Sequence, residues 1–160
     1  MKLYTIGFTK KSAEDFFTEL KQSGAKRIVD VRLNNTSQLA GFAKRSDLEF
    51  FLREICEMDY VHVPELAPTQ EMLGEYRKAK GDWAAYERKF LDLMRKRKIE
   101  RTVDRAVIAD GCLLCSEDKP HHCHRRLVAE YLESHWGDVD IAHIGEKRTS
   151  TIASEHRPFP

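Results

Sequence analysis

The chain has 160 residues, the length of one ordinary domain, and its mixture of 41% hydrophobic and 33% charged residues is typical of a globular protein. A net charge of +1 excludes a strong, general nucleic-acid binder. No apolar run approaches the ~20 residues that span a bilayer, and four cysteines without a secretion signal favour a cytoplasmic protein with reduced thiols.

Short apolar runs alternate along the chain with segments whose apolar residues recur at a helical spacing. The short runs predict five strands, at residues 3–6, 27–31, 60–63, 105–115 and 139–143. The amphipathic segments predict helices at residues 12–24, 46–55, 71–81, 82–98 and 120–136, with residues 33–45 as a loop. This alternation predicts an α/β protein, a single-domain three-layer Rossmann-like fold with a parallel sheet of about five strands and helices on both faces. We favour the strand order 3-2-1-4-5, with the domain at residues 1–144 and a polar tail at 145–160.

Polar and reactive residues collect where the predicted strands end. They are Thr5 and Gly7, Asp30 and Arg32, His62 and Glu65, and Cys115 and Glu117. The carboxyl ends of parallel strands lie at one edge of the sheet, where ligands bind in α/β proteins. We therefore expect Cys115, Glu117, Glu65 and the nearby Cys123 to lie around one pocket.

At these residues the chain resembles the DUF488 family, which is named for having no assigned function. The similarity covers nearly all of the chain except the tail, and it rests on Thr5-Ile-Gly7, Val29-Asp-Val-Arg32, His62-Val-Pro-Glu-Leu66, Gly81-Asp-Trp-Ala-Ala-Tyr86, Leu113-Leu-Cys115-Ser-Glu117 and Cys123-His124-Arg125. The chain departs from the family at Gly7-Phe-Thr, where Gly-His-Ser is frequent. The resemblance implies an α/β fold and a shared site around the Cys-x-Glu and Cys-His-Arg motifs, and it implies no particular reaction.

Two cysteines are candidates for a nucleophile. Pro120 suits a first helical position, which would place Cys123 in the first turn, beside unpaired N–H groups and the positive charge of His124 and Arg125. We therefore expect Cys123 to be the most acidic thiol and the nucleophile, with Cys115 as the second candidate. A buried core thiol at Cys115, and a helix start with solvated basic residues at Cys123, are the structural alternatives.

The remaining candidate residues handle protons or bind the substrate. Glu117, His62 and Glu65 are expected to move protons, although a purely structural His62 is an alternative. The expected substrate or anion ligands are His124, Arg125, Arg32, Asp30, Thr5 and Gly7. For Asp30 and Arg32 the alternative is a local ion pair that braces the loop after the second strand.

A zinc site that uses the Cys112-x2-Cys115 pair is disfavoured. Leu113 and Leu114 are strand formers rather than knuckle-turn residues, and positions three apart on a strand face opposite sides. A three-ligand site of Cys115, Cys123 and a histidine escapes this objection. We expect no bound metal, and the sequence does not identify a cofactor.

The basic run at residues 95–98, continued by Arg101 and Arg105, ends a helix and can bind phosphate backbones or remain a solvated surface. Trp83, Tyr86 and Phe90 lie at helical spacing and are expected in the core. Our leading hypothesis is an enzyme that acts on a small phosphorylated or nucleotide-like substrate. Its reaction would be thiol-mediated group transfer, or a carboxylate-driven hydrolysis or glycosyl transfer. The alternatives are a non-catalytic module that binds a nucleotide or nucleic acid, and a thiol-based redox or metal sensor. The sequence predicts no oligomeric state.

Overall fold

The computed structural model describes residues 1–36, 40–78, 80–117 and 119–145. The predicted tail, residues 145–160, therefore lies outside the described residues except for Gly145. The strands are β1 (Lys2–Gly7), β2 (Arg27–Asp30), β3 (Asp59–His62), β4 (Gly111–Cys115) and β5 (Asp140–His143). The α-helices are α1 (Ala13–Ser23), α2 (Arg45–Phe51), α3 (Gln70–Lys78), α4 (Trp83–Arg97), α5 (Ile99–Thr102), α6 (Arg105–Ile108) and α7 (His124–Trp136). A π-helical turn extends α2 over Leu52–Cys56. No helix among these described residues is long and apolar enough to cross a membrane.

The five strands form one parallel sheet, which confirms the predicted α/β class. The strand order is β3-β2-β4-β1-β5, so the expected order 3-2-1-4-5 is wrong. The physical reason is visible in β4, whose five residues are all buried, as suits the central strand of a parallel sheet. β1 lies one position from the centre, between β4 and β5.

Two apolar cores cover the two faces of the sheet, as a three-layer fold requires. One core packs α4 and α7 against the sheet, with Phe90 and Leu127 among its buried residues. The other packs α1 and α2, with Phe16 and Leu48. The chain therefore crosses to one face of the sheet after β1 and to the other face after β4. The carboxyl ends of these two neighbouring strands meet at Gly7 and Cys115.

The predicted strand at residues 105–115 is wrong in its first half. Asp104 caps the short helix α6 by accepting a hydrogen bond from the Ala106 amide, and the strand begins only at Gly111. Glycine is required there because an added Cβ would lie 2.9 Å from Val29 Cγ2 and 3.0 Å from the Ile108 carbonyl oxygen. The run across residues 105–115 therefore divides between two elements: α6 buries only Ile108, whereas all five residues of β4 are buried.

Candidate functional site

An open cleft of about 440 Å³ lies beyond the carboxyl ends of the central strands. Its wall joins the loop after β2, helices α3 and α4, the segment after β4 and the start of α7. The lining residues are Arg32, Leu33, Asn34, Pro68, Leu73, Tyr76, Arg77, Trp83, Tyr86, Cys115, Ser116, Glu117, His122, Cys123 and His124. The structure therefore brings Cys115, Glu117, Cys123, His124 and Arg32 together from the predicted set.

Cys115 and His124 form a contact pair in this cleft. The Cys115 Sγ atom lies 3.4 Å from His124 Nδ1. The other ring nitrogen, Nε2, lies 2.7 Å from the Val31 carbonyl oxygen. A carbonyl only accepts, so Nε2 carries the hydrogen, and in the neutral ring Nδ1 is left as an acceptor that faces the sulfur. The arrangement matches a thiol beside a base whose orientation a third group fixes.

The acidity of the two thiols is the reverse of the sequence expectation. A hydrogen bond from Cys123 is the largest cause that lowers the pKa of Cys115, and it outweighs the opposing effect of burial. The backbone amides of Ser116 and Glu117 and the charge of Arg125 also lower this pKa. Burial, and then the same hydrogen bond, raise the pKa of Cys123 well above its usual value. Cys123 is the N-cap of α7 rather than a first-turn residue, so the expectation that it is the most acidic thiol is wrong.

Cys112 lies on the other face of the sheet from Cys115, as the strand alternation predicts. It packs in the core beneath α1 and α2, whereas Cys115 packs beneath α4 and α7. Burial raises the pKa of Cys112 strongly. All four cysteines are free thiols.

Asp30 and Arg32 form a buried ion pair that holds Arg32 at the cleft. Arg32 Nε and Nη2 donate to the two carboxylate oxygens of Asp30, each at 2.9 Å, and Nη1 donates to the Ala43 carbonyl. The Tyr60 hydroxyl also donates to Asp30. Burial raises the pKa of Asp30, but the hydrogen bonds and charge of Arg32, with the Tyr60 hydrogen bond, hold this pKa below its usual value. Asp30 therefore positions Arg32 and does not itself line the cleft.

Three residues lie behind the cleft and connect β1, the segment after β4 and α7. They are Arg125, Thr5 and Gly7. Arg125 is 1% exposed and donates from Nη1 to the Glu117 carbonyl oxygen at 2.6 Å and from Nε to Thr5 Oγ1 at 3.4 Å. Thr5 Oγ1 also lies 2.6 Å from His143 Nδ1. Gly7 is needed because a Cβ there would lie 1.6 Å from the Glu117 carbonyl oxygen. The expected anion-binding role is not supported by these positions, since none of the three residues lines the cleft.

A scan of protein families matches residues 12–132 to one model, described as a domain of unknown function, DUF488. The chain belongs to the DUF488 family. No curated protein and no solved structure matches the chain. The resemblance seen in the sequence motifs is thus confirmed, and the chemistry of this DUF488 protein rests on its own geometry.

His62 and Glu65 do not reach the cleft of the DUF488 protein, so the expectation that Glu65 shares the pocket is wrong. His62 lies beneath the loop after β2, where its Nε2 donates to the Arg32 carbonyl at 2.9 Å. Glu65 is exposed on a 3₁₀ turn, Pro64–Leu66, and its carbonyl accepts from Arg97. His62 ends β3 and Glu65 follows it, but β3 is an edge strand and the chain turns away there.

An aromatic wall is the feature that sequence reasoning missed. The Trp83 ring stacks on His122, with centroids 5.1 Å apart, and on Tyr86 at 5.2 Å. Tyr76 packs edge-on against Trp83. Tyr86 and Phe90 are core residues as predicted, whereas Trp83 is only half-buried and lines the cleft. The helical spacing of Trp83 predicted that it lies on the buried face of its helix. That spacing does not show where along the helix this face stops contacting the core and begins to line the cleft.

The basic helix end of the DUF488 protein makes contacts within the molecule. Arg97 donates to the Glu65 and Ala67 carbonyls, Arg95 pairs with Asp92, and Arg105 makes a two-oxygen pair with Asp138. These partners favour the structural interpretation of the run over a phosphate-binding one.

Proposed function

We propose that this protein is a cytoplasmic, thiol-dependent enzyme that performs group transfer on a small, planar, negatively charged substrate of the nucleotide-like class. The observation that carries the proposal is the 3.4 Å contact between Cys115 Sγ and His124 Nδ1 on the wall of the cleft. This geometry favours Cys115 over Cys123 as the nucleophile, since His124 Nδ1 is the acceptor placed to take its proton.

The first step is attack of Cys115 Sγ on an electrophilic atom of the substrate. The thiol proton passes to His124 Nδ1, and the imidazolium that forms keeps its Nε2 hydrogen bond to the Val31 carbonyl. As the bond from sulfur to the transferred group forms, the bond to the leaving atom breaks, and that atom departs with the proton from Nδ1. An acceptor that carries an O–H or N–H group then takes the transferred group, gives its proton to Nδ1, and returns the thiol.

The surroundings of the pair support the substrate class. The exposed ring of His122, which stacks on Trp83, offers a face on which a planar base can stack, an interaction worth about 1–3 kcal/mol per base. Arg77, an exposed residue of the lining, supplies a guanidinium group, whereas the donors of Arg32 described above are taken by Asp30 and the Ala43 carbonyl. Helix α7 also begins at the cleft, and its N-cap, Cys123, makes no side-chain capping hydrogen bond. Positive charge and stacking surface together favour an aromatic anion.

Glu117 supplies the remaining proton-handling group in the proposal. Among the cleft-lining residues that the structure describes, it is the only acid, and it is exposed. An exposed carboxylate can pass the proton of the acceptor on to His124 Nδ1, or it can orient a substrate hydroxyl. Cys123 remains an auxiliary thiol that stabilises the sulfur of Cys115 through its hydrogen bond.

The test is trapping of the covalent intermediate. The reduced, metal-free protein is incubated with a panel of nucleoside mono-, di- and triphosphates and phosphorylated ring compounds, and its intact mass is measured after acid quenching. We expect a mass adduct that peptide mapping places on Cys115 and that Cys115→Ser abolishes. Cys112→Ser is the matched control, because it changes a thiol of the same strand on the opposite face, and it should retain the adduct. An adduct on Cys123 that persists in Cys115→Ser would overturn the assignment.

A binding experiment separates this enzyme from a non-catalytic module. In a Trp136→Phe variant the remaining tryptophan, Trp83, lines the cleft and reports ligand by fluorescence quenching. We expect Glu117→Gln to bind the ligand within about threefold of the parent protein while the turnover of the trapped substrate falls at least tenfold. Tight binding with neither adduct nor turnover would favour the binding module.

A further inference from the structure

Three metal-ligating atoms converge on the wall of the cleft. The sulfurs of Cys115 and Cys123 and the Nδ1 atom of His124 all lie within 4.8 Å of one another, and all three residues are buried. In a tetrahedral zinc site, Zn–S bonds of about 2.3 Å and Zn–N bonds of about 2.0–2.1 Å place two sulfurs about 3.8 Å apart and a sulfur and a nitrogen about 3.6 Å apart. The 3.4 Å separation of Cys115 Sγ and His124 Nδ1 is close to the latter distance.

A supporting set of hydrogen bonds orients these donors. Histidine ligands in metal sites characteristically donate their second ring N–H to a carbonyl or carboxylate, and His124 Nε2 donates in this way to Val31 at 2.7 Å. The Cys115 sulfur is buried at the end of β4, 3.4 Å from Nδ1. Nδ1 and the Cys115 sulfur are therefore held in place before any ion binds.

The donor set selects the class of ion. Two thiolates and one imidazole suit a soft or borderline cation such as Zn²⁺, whereas Mg²⁺ and Ca²⁺ require oxygen ligands. Two thiolates would balance the charge of one divalent ion. Three protein ligands leave a fourth coordination position, and all three donor residues line the open cleft, which provides the entry path. The sequence argument against zinc excluded Cys112 as a ligand, and the structure separates that residue from the three donors.

We propose that Cys115, Cys123 and His124 form a reversible Zn²⁺ site, and that its occupancy switches off the thiol chemistry of the cleft. Binding converts two thiols and one Zn²⁺ into a dithiolate complex and releases two protons. The bound ion occupies Cys115 Sγ, which is the attacking atom, and His124 Nδ1, which is the atom that accepts the proton. The site itself stands on the donor geometry, whereas the inhibition rests on the proposed function.

The experiment is titration of Co²⁺ into the reduced protein after treatment with a chelator. We expect one equivalent to produce a thiolate-to-cobalt charge-transfer band together with the intense visible bands of tetrahedral cobalt, and Zn²⁺ to remove both. Cys115→Ser, Cys123→Ser and His124→Gln should each weaken Co²⁺ binding at least 100-fold, while Cys112→Ser leaves it unchanged. Weak visible bands of octahedral cobalt without charge transfer, or a charge-transfer band that survives Cys115→Ser, would overturn the site.

A second measurement uses the wild-type chain and does not depend on the folding of any variant. One equivalent of Zn²⁺ should protect Cys115 and Cys123 from alkylation and leave the rate at Cys56 unchanged. Equal rates at Cys115 with and without Zn²⁺ would refute the site. The two proposals fail separately, since the covalent adduct is measured without metal and the cobalt spectrum without substrate.

Discussion

Gly7→Ala tests the tight junction between β1 and the segment that carries the cleft. The new methyl carbon would lie 1.6 Å from the Glu117 carbonyl oxygen, where ordinary contact requires 3.4 Å, so that oxygen must move by about 1.8 Å. The obstacle is backbone and cannot rotate away, and the same oxygen accepts the hydrogen bond of the buried Arg125. We expect a loss of about 3 kcal/mol in the free energy of unfolding, the upper end of the range for overpacking.

Urea denaturation at pH 7 measures this loss, and thermal unfolding should show a fall of about 6–12 °C in Tm for a chain of this length. Gly74→Ala is the matched control. Gly74 lies within α3 with no atom within 4 Å of the added Cβ, so alanine there should stabilise the protein by about 0.5–1 kcal/mol. The packing argument is refuted if Gly7→Ala changes the free energy of unfolding by less than 0.5 kcal/mol, within the spread of ordinary surface substitutions.

Three further predictions concern charge and reactivity. Asp30→Asn should lower the free energy of unfolding by about 3–5 kcal/mol, because it leaves Arg32 buried without its partner, while Asp140→Asn at the exposed pair with Lys2 should cost under about 1 kcal/mol. The folded pKa of Asp30 lies below its unfolded value, so the stabilisation is present above about pH 4 and is lost as the pH falls through the folded pKa. The difference in unfolding free energy between the parent protein and Asp30→Asn should therefore shrink in urea titrations at acid pH. A deficit that stays constant from pH 7 to pH 3 would contradict this. In metal-free protein, iodoacetamide mapping should label Cys115 before Cys123 and label the fully buried Cys112 last; faster labelling at Cys123 would restore it as the candidate nucleophile. Anisotropy of labelled single-stranded DNA should show weak or no binding at about 0.15 M salt, and a micromolar complex abolished by neutral substitutions at Arg95 and Lys96 would disprove it.

The sequence predicted the class of fold because its strands and helices differ in period. It also predicted that Cys115 and Cys123 share one site, since the two residues flank the junction between a strand and a helix. The alternation along β4 correctly separated Cys112 from Cys115. Each of these inferences depends on local geometry alone.

The wrong inferences depend on contacts between distant segments. The strand order depends on which strand is buried on both faces of the sheet. The periodicity of the sequence does not show which strand is the most buried. The pKa of Cys123 is raised by burial and by Cys115, and helix-dipole reasoning sees neither effect. Trp83 lines the cleft because helix α4 begins at its edge, although its spacing is that of a core residue.

The position of β4 in the sheet constrains the order in which the chain can assemble. β1 pairs only with β4 and β5 among the described strands: Tyr4 lies opposite Cys112, and Lys2 opposite Asp140. During synthesis, the first strand therefore leaves the ribosome more than a hundred residues before its first partner exists. β2 and β3 can pair early, but the sheet becomes continuous only when β4 inserts between β2 and β1. Contacts of such long sequence separation slow folding. The cleft is then among the last features of the nascent chain to form, and fragments that end before residue 111 should remain unable to build it.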